Sequence, residues 1–336
     1  MKRIAIDAMG GDCGVTVTVP AAIQAVTTRP DLEIVLVGDR QQIDPQLQKI
    51  SAELVSRLQV QHASGQVSDQ DRPDKILRHG QDSSMYQAVD LVRERQVGAA
   101  VSAGNTGALL MVGRHLLKTI PGIQKPAIVA TIPGATERSY LLDVGANPDC
   151  SAQQLFEFAV MGSVLAESLR GRPARVGLLN IGSEQHKGTE EVKDAAALLQ
   201  HCPEINYIGF IEANELFEGH ADVVVCDGYV GNVTIKASAG VANVVRKLID
   251  SQIRHSWLTR LSSHFTSSML HRMSDQINPH RLNGASLLGL QGSIVKSHGN
   301  ATAEGFYHAI LQALSEVEHV VPQLIATRVA AIMASS

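Results

Sequence analysis

The run of residues 223–237, VVVCDGYVGNVTIKA, changes character halfway along. Three valines and a cysteine read as a buried strand; Asp227-Gly228 and Gly231-Asn232 break it, and helix-compatible residues follow. A strand that ends in small and polar residues and turns directly into a helix is the building unit of an α/β sheet. In open sheets of this kind, ligands bind beyond the carboxyl ends of the strands. On this reading the strand delivers Asp227 and Asn232 to a cleft, and Gly228 and Gly231 give a ligand clearance.

The same unit recurs along the chain. Short apolar runs occur at RIAID (3–7), EIVLV (33–37), GAAVSA (98–103), AIVATI (127–132), SYLLDV (139–144), RVGLLNI (175–181), NYIGFI (206–211) and ADVVVC (221–226). Segments of helical period separate most of them, such as 84–96 and 151–169. Alternating strand and helix patterns predict a mainly parallel sheet. The runs 127–132 and 139–144, joined by PGATER, predict an antiparallel hairpin. Aromatic residues make up only 4% of the chain, so Val, Ile, Leu and Ala must build the core, as in sheets covered by helices.

Composition excludes several classes. The chain has 336 residues, 44% hydrophobic and 18% charged, with a formal charge of −4. No domain boundary is marked by a linker, repeat or low-complexity tract, so residues 1–336 are read as one α/β domain. No window approaches the roughly 18 apolar residues that span a bilayer, and the N-terminal apolar run meets Asp7 too soon for a signal peptide. A soluble, cytoplasmic protein is expected. The four cysteines are scattered, which suits reduced thiols. Thirteen histidines form no metal-binding motif, so no metal is expected.

Five more strand-like runs end in glycine with small or polar residues: DAMGGD (7–12), SAGNTG (102–107), DVGAN (143–147), NIGSEQHKG (180–188) and KSHGN (296–300). With the opening run they suggest one polar cleft that takes an anion, because helix N-termini present free N–H groups. Asn105, Thr106, Asn147, Ser183, Lys187, Asn232, Lys296 and His298 are its candidate contacts. Neither GxGxxG nor GxxxxGK[ST] is present, which weakens nucleotide readings, and a GxSxG elbow is also missing. Cys226 reads as a buried, inert thiol. Lys187 precedes a helix, where its charge opposes the macrodipole; it is either solvated or faces a bound anion. Asn232 either caps a helix or donates to a carbonyl or phosphate oxygen.

Six blocks taken together, MGGD (9–12), VSAGNTGALL (101–110), LLDVGAN (141–147), NIGSEQHKG (180–188), VCDGYVGNV (225–233) and GSIVKSHGNA (292–301), closely resemble the bacterial PlsX family of phosphate acyltransferases. The likeness runs from about residue 3 to about residue 310. It implies a Rossmann-like three-layer α/β fold, isopropylmalate-dehydrogenase-like and phosphotransacetylase-related, with a protruding helical segment, usually as a homodimer. It also implies transfer of a long-chain acyl group from acyl carrier protein to inorganic phosphate without a cofactor. The acyl phosphate would then pass to a membrane glycerol-3-phosphate acyltransferase. The family's important lysine and asparagine fall on Lys187 and Asn232, with Asp227 in the same block.

One compositional shift remains. Between residues 246 and 281, within a helical basic segment at about 240–285, six Arg and Lys face only Asp250 and Asp275. Ile253, Trp257, Leu258, Leu261, Phe265, Met269 and Met273 follow helical spacing in one apolar stripe. Arg254, Arg260 and Arg272 lie among its polar positions and are candidate contacts for the acidic carrier protein or a membrane surface. A core or dimer stripe is the alternative. Rival functions are a short-chain acyl-coenzyme A phosphotransacetylase, an NAD-dependent dehydrogenase of the same superfamily, and a non-catalytic membrane scaffold. No nucleic-acid partner is expected.

Overall fold

The computed structural model describes residues 2–335, apart from 69, 72, 135–136 and 256–281. Its strands are β1 (Lys2–Asp7), β2 (Leu32–Gly38), β3 (Leu58–His62), β4 (Ala99–Ser102), β5 (Ala127–Ile132), β6 (Ser139–Leu142), β7 (Arg175–Leu179), β8 (Asn206–Ile211), β9 (Val223–Val225), β10 (Ala285–Leu288) and β11 (Ser293–Lys296). The helices are α1 (Val15–Thr28), α2 (Arg40–Leu47), α3 (Ala52–Val55), α4 (Pro73–His79), α5 (Ser84–Arg93), α6 (Thr106–Leu117), α7 (Ala152–Arg170), α8 (Glu190–Gln200), α9 (Gly228–His255), α10 (Ala303–Glu318) and α11 (Val321–Ser335).

All these strands join one sheet, in the order β3-β2-β1-β4-β11-β10-β5-β6-β9-β7-β8. Its two wings are parallel within themselves. The middle is antiparallel, where β10 pairs with β11 and β5, and β5 pairs with β6 as the expected hairpin. An odd number of antiparallel steps separates the wings, so their strands run in opposite directions.

Helices cover both faces. In β1, Ile4 and Ile6 pack with α1 and α10 while Ala5 turns to α5 and α6, the period-two alternation of a strand buried on both sides. In the other wing Val223 and Val225 face α7, α8 and α11, whereas Val224 and Cys226 join a smaller cluster with Ile235 of α9. The helix starts are encoded locally. Ser151 and Gln154 form a reciprocal capping box at the start of α7, and Gly171 closes that helix at φ 67°. No single helix among the described residues is long and apolar enough to cross a membrane. A bent pair, α10 with the helix after it, passes by composition, and its apolar residues Phe306, Ala309, Ile310, Ala313 and Leu314 are fully buried in the core.

Behind the antiparallel middle lies a buried carboxyl group. Glu316 is 1% exposed and meets Ser286, Ser293 and Gln312. Burial pushes its pKa up to about 7, with those hydrogen bonds opposing. The folded state therefore keeps this proton to higher pH than the unfolded chain, where a glutamate titrates near 4.3. The resulting stability is full below the unfolded value and is lost as pH rises through about 7. Glu316→Gln is expected to remove that slope and to be the more stable protein at pH 8, by on the order of 3 kcal/mol. Denaturant melts of both proteins at pH 5 and pH 8 measure it; equal slopes would return Glu316 to an ordinary carboxylate.

Candidate active site

Strand direction sorts the six glycine-rich turns into two groups. The turns after β1, β4 and β11 leave one wing; those after β6, β9 and β7 leave the other. Hydrogen bonds join the turns of the first group to one another and the turns after β6 and β9 in the second, so the single cleft expected from the sequence is built as two sets of turns.

In the second group, Asp143 follows β6 and is fully buried. Its Oδ1 accepts from the N–H of Ile128 (3.0 Å), Gly145 (3.1 Å) and Ala146 (3.0 Å). Its Oδ2 accepts from the N–H of Asn147 (2.7 Å) and from Asn147 Nδ2 (3.0 Å). Asn147 Nδ2 also donates to Pro126 O (2.8 Å), so this side chain is spent inside the protein. The same turn grips α9, because Gly228 N donates to Asn147 O at 2.7 Å. Asp227 caps α9, its Oδ1 accepting from Val230 N at 2.8 Å. Cys226 is 4% exposed, donates to Asp143 O, and has its pKa pushed well up by burial, which fits an inert thiol.

Gly228 and Gly231 serve a purpose other than the one read from the sequence. A Cβ on Gly228 would stand 2.7 Å from Asn147 O, and one on Gly231 only 1.8 Å from Asp143 O. Gly231 N already donates to Asp227 O. These glycines make room for the protein's own backbone, and the expectation that they clear space for a ligand is corrected.

Asn232 then projects from the first turn of α9, half-buried. Among the described residues its amide has no hydrogen-bond partner, and its Nδ2 lies beside Gly145. Tyr229, Val230 and Val233 around it are exposed. Lys187 sits in the turn between β7, the neighbour of β9, and α8. Its Nζ pairs with Glu184 Oε2 at 2.8 Å, with the lysine side chain 39% exposed. That carboxylate holds the Lys187 pKa above its ordinary value, with Glu212 adding to the effect. Ser183 and Ile181 are exposed in the same turn.

In the first group the organising residue is Asp7, 1% exposed. It accepts from Ser84 Oγ and Ser102 Oγ, both at 2.6 Å, and from Met9 N at 3.3 Å. Burial raises its pKa against those bonds. Asn105 caps α6 through Ala108 N (3.0 Å), and Thr106 follows it, exposed. Lys296 Nζ donates to Ala103 O at 3.2 Å. His298 is exposed, and its N–H donates to Asn283 Oδ1 at 3.0 Å. Arg254 lies in the last turn of α9 with its side chain outside the described part, and Arg260 and Arg272 lie outside the described residues, as does the stripe from Trp257 to Met273. Among the described residues no group of three or more His, Cys, Asp or Glu is placed to hold a metal. Sequence reading singled out neither Asp143, Asp7 nor Glu184. The two aspartates did carry a signal, as each is the first acidic residue after an apolar run.

Comparison with known proteins bears on the family and the fold. The model of a family described as fatty acid synthesis protein matches residues 2–324. A phosphate acyltransferase of Shewanella sp. (strain W3-18-1) is 46% identical over 333 residues, covering 98% of this chain and 97% of that protein. A phosphate acyltransferase of Shewanella loihica is 43% identical over 332 residues, with the same coverage. Among solved structures, a phosphotransacetylase from Streptococcus pyogenes superposes with a TM-score of 0.61 at 16% identity, covering 94% of each chain. A putative 4-hydroxythreonine-4-phosphate dehydrogenase from Salmonella typhimurium gives 0.54 at 12% identity, covering 94% of this chain and 99% of that one. These two share the fold alone: a Rossmann-like α/β architecture with a mixed sheet. Near-half identity over nearly the whole chain, together with the family model, decides the rest: the chain belongs to the PlsX family of phosphate acyltransferases.

Proposed function

We propose that the protein transfers a long-chain acyl group from the thioester of acyl carrier protein to inorganic phosphate, releasing acyl phosphate for phospholipid synthesis. The observation that carries this reading is the unpartnered Asn232 amide at the head of α9, beside the turn that holds Lys187. A phosphate oxygen attacks the thioester carbonyl carbon, the carbonyl π electrons move to oxygen, and the C–S bond breaks as the carbonyl re-forms. The thiolate leaves and takes a proton from solvent. Phosphate is itself the nucleophile, so the protein needs no side-chain nucleophile; it must align two reactants and stabilise an oxyanion.

Asn232 donates its amide N–H to the oxyanion. Lys187 is better suited to a fixed positive charge facing phosphate than to an acid, because Glu184 makes it hold its proton more tightly. Asn105, Thr106, Ser183 and His298 are proposed to contact substrate. Asp227, Gly228, Gly231 and Asn147 are proposed to act by shaping the turn. Tyr229, Val230 and Val233, exposed around Asn232, offer a long acyl tail a surface that a short one would leave uncovered. That favours this reading over a short-chain phosphotransacetylase.

The exposed residues Val241, Val244, Val245 and Leu248 of α9 support a homodimer. Arg254, Arg260 and Arg272 are proposed to meet the acidic carrier protein or an anionic membrane, where a glycerol-3-phosphate acyltransferase would accept the product. The protein is proposed to be cytoplasmic.

The deciding experiment incubates purified protein with a long-chain acyl carrier protein and phosphate and traps acyl phosphate with hydroxylamine. Phosphate-dependent hydroxamate is expected without added metal or nucleotide; its absence would sink the reading. Replacing Arg254, Arg260 and Arg272 together by Glu is expected to raise KM for the carrier substrate, or to weaken co-sedimentation with anionic vesicles, more than it lowers Tm. Both effects should shrink at high salt. Unchanged binding with a collapsed melt would make the segment core.

A further inference from the structure

We infer that Asp143 is a positioning residue that holds the Asn232 amide at its reacting angle through the turn 143–147, a role that rests on the acyl-transfer reading above. The chain of contacts is short. Five N–H donors converge on one buried carboxylate, and four of them belong to the turn itself or to its Asn147 side chain. Removing that acceptor loosens the turn, because the N–H groups of Ile128 and Asn147 would be left buried and unsatisfied and those of Gly145 and Ala146 would lose the bonds that fix them.

The turn and the head of α9 are interlocked from both sides. Asp143 N donates to Cys226 O at 2.9 Å, Cys226 N donates to Leu142 O at 2.7 Å, and Gly228 N donates to Asn147 O at 2.7 Å. Gly231 sits directly on the Asp143 carbonyl. The last contact is functional: Gly145, at φ 135°, lies so close to the Asn232 amide that an added Cβ would be 3.0 Å from Nδ2. Gly145 is held in place by its own N–H bond to Asp143 Oδ1. No protein acceptor among the described residues competes for the Asn232 amide, so packing against Gly145 orients it while leaving its N–H groups to a ligand. Burial raises the Asp143 pKa, and the hydrogen bonds from Ala146, Ile128 and Asn147 oppose that rise.

A misplaced donor loses rate more than binding, since orientation matters most in the transition state. The test is a double-mutant cycle on kcat and KM for a long-chain acyl carrier protein and phosphate. Asp143→Asn retains the shape but points an amide N–H₂ at N–H donors. It is expected to lower kcat about tenfold or more with KM little changed. In an Asn232→Ala background the same change should cost little further, because its effect runs through the missing side chain.

Losses that multiply in the cycle, or an unchanged kcat in folded Asp143→Asn, would overturn the proposal. If Asp143→Asn does not fold, Gly145→Ala takes its place. Its Cβ presses on Asn232 Nδ2 at a strained φ, and its kcat loss should likewise vanish in Asn232→Ala. Loss in Gly145→Ala that persists there overturns the proposal. Asn232→Ala at the wild-type rate would instead sink the reading of the site itself, a failure distinguishable from the first.

Discussion

Alanine at Asn232 or at Lys187 is expected to lower kcat for acyl transfer by roughly a hundredfold or more, the size of effect seen when one oxyanion-hole donor is lost, while Tm stays close to that of the parent protein. Both halves of this expectation follow from the contacts. The Asn232 amide has no hydrogen-bond partner among the described residues, so truncating it orphans no buried group and removes little stability. Lys187 is paired with Glu184 at 2.8 Å, but both side chains are well exposed. Exposed pairs of that kind contribute little to stability, because solvent and salt screen them. Residues that contribute so little to the fold and so much to the rate are those whose partner is the substrate. Steady-state rates measured beside thermal melts decide it. Near-normal turnover in Lys187→Ala would make that residue a solvated lysine.

Two glycines of the same helix should respond to alanine in opposite ways. Gly231→Ala puts a Cβ 1.8 Å from the Asp143 carbonyl oxygen. Backbone on both sides prevents easy relief, so the head of α9 must shift. Overpacking of this kind costs about 1–3 kcal/mol or more. Because Asn232 is the next residue, activity should fall further than Tm alone would explain. Gly240 lies in the same helix, and a Cβ added there would meet nothing within 4 Å. At that position alanine is expected to stabilise by roughly 0.5–1 kcal/mol, through higher helix propensity and a less disordered unfolded chain. Denaturant midpoints of the two variants make the comparison. If both destabilise equally, the contact with Asp143 is not what makes Gly231 necessary.

Local signals in the chain were enough to establish the layered α/β class, a mainly parallel sheet, the β5–β6 hairpin and the positions of Lys187 and Asn232 after strand ends. Period-two apolar runs and glycine-rich turns are written in neighbouring residues, so they can be read in one dimension. The same reading passed over β3 and β10. The strand β3, LQVQH, is an edge strand and only half-buried, so polar residues interrupt its pattern. In the middle of the sheet, Ser286 of β10 is buried against Gln312 of α10, a partner that comes later in the chain. Which turns stand together emerged with the folded sheet, because strand direction depends on pairing between distant segments. The purpose of the glycines and of Asn147 emerged there too. A glycine that makes room for phosphate and one that makes room for a carbonyl far upstream look identical in one dimension. The buried carboxylate of Asp143 separates them: its hydrogen bonds and carbonyl claim the space around Gly228, Gly231 and Asn147, leaving Asn232 as the group still free to bind.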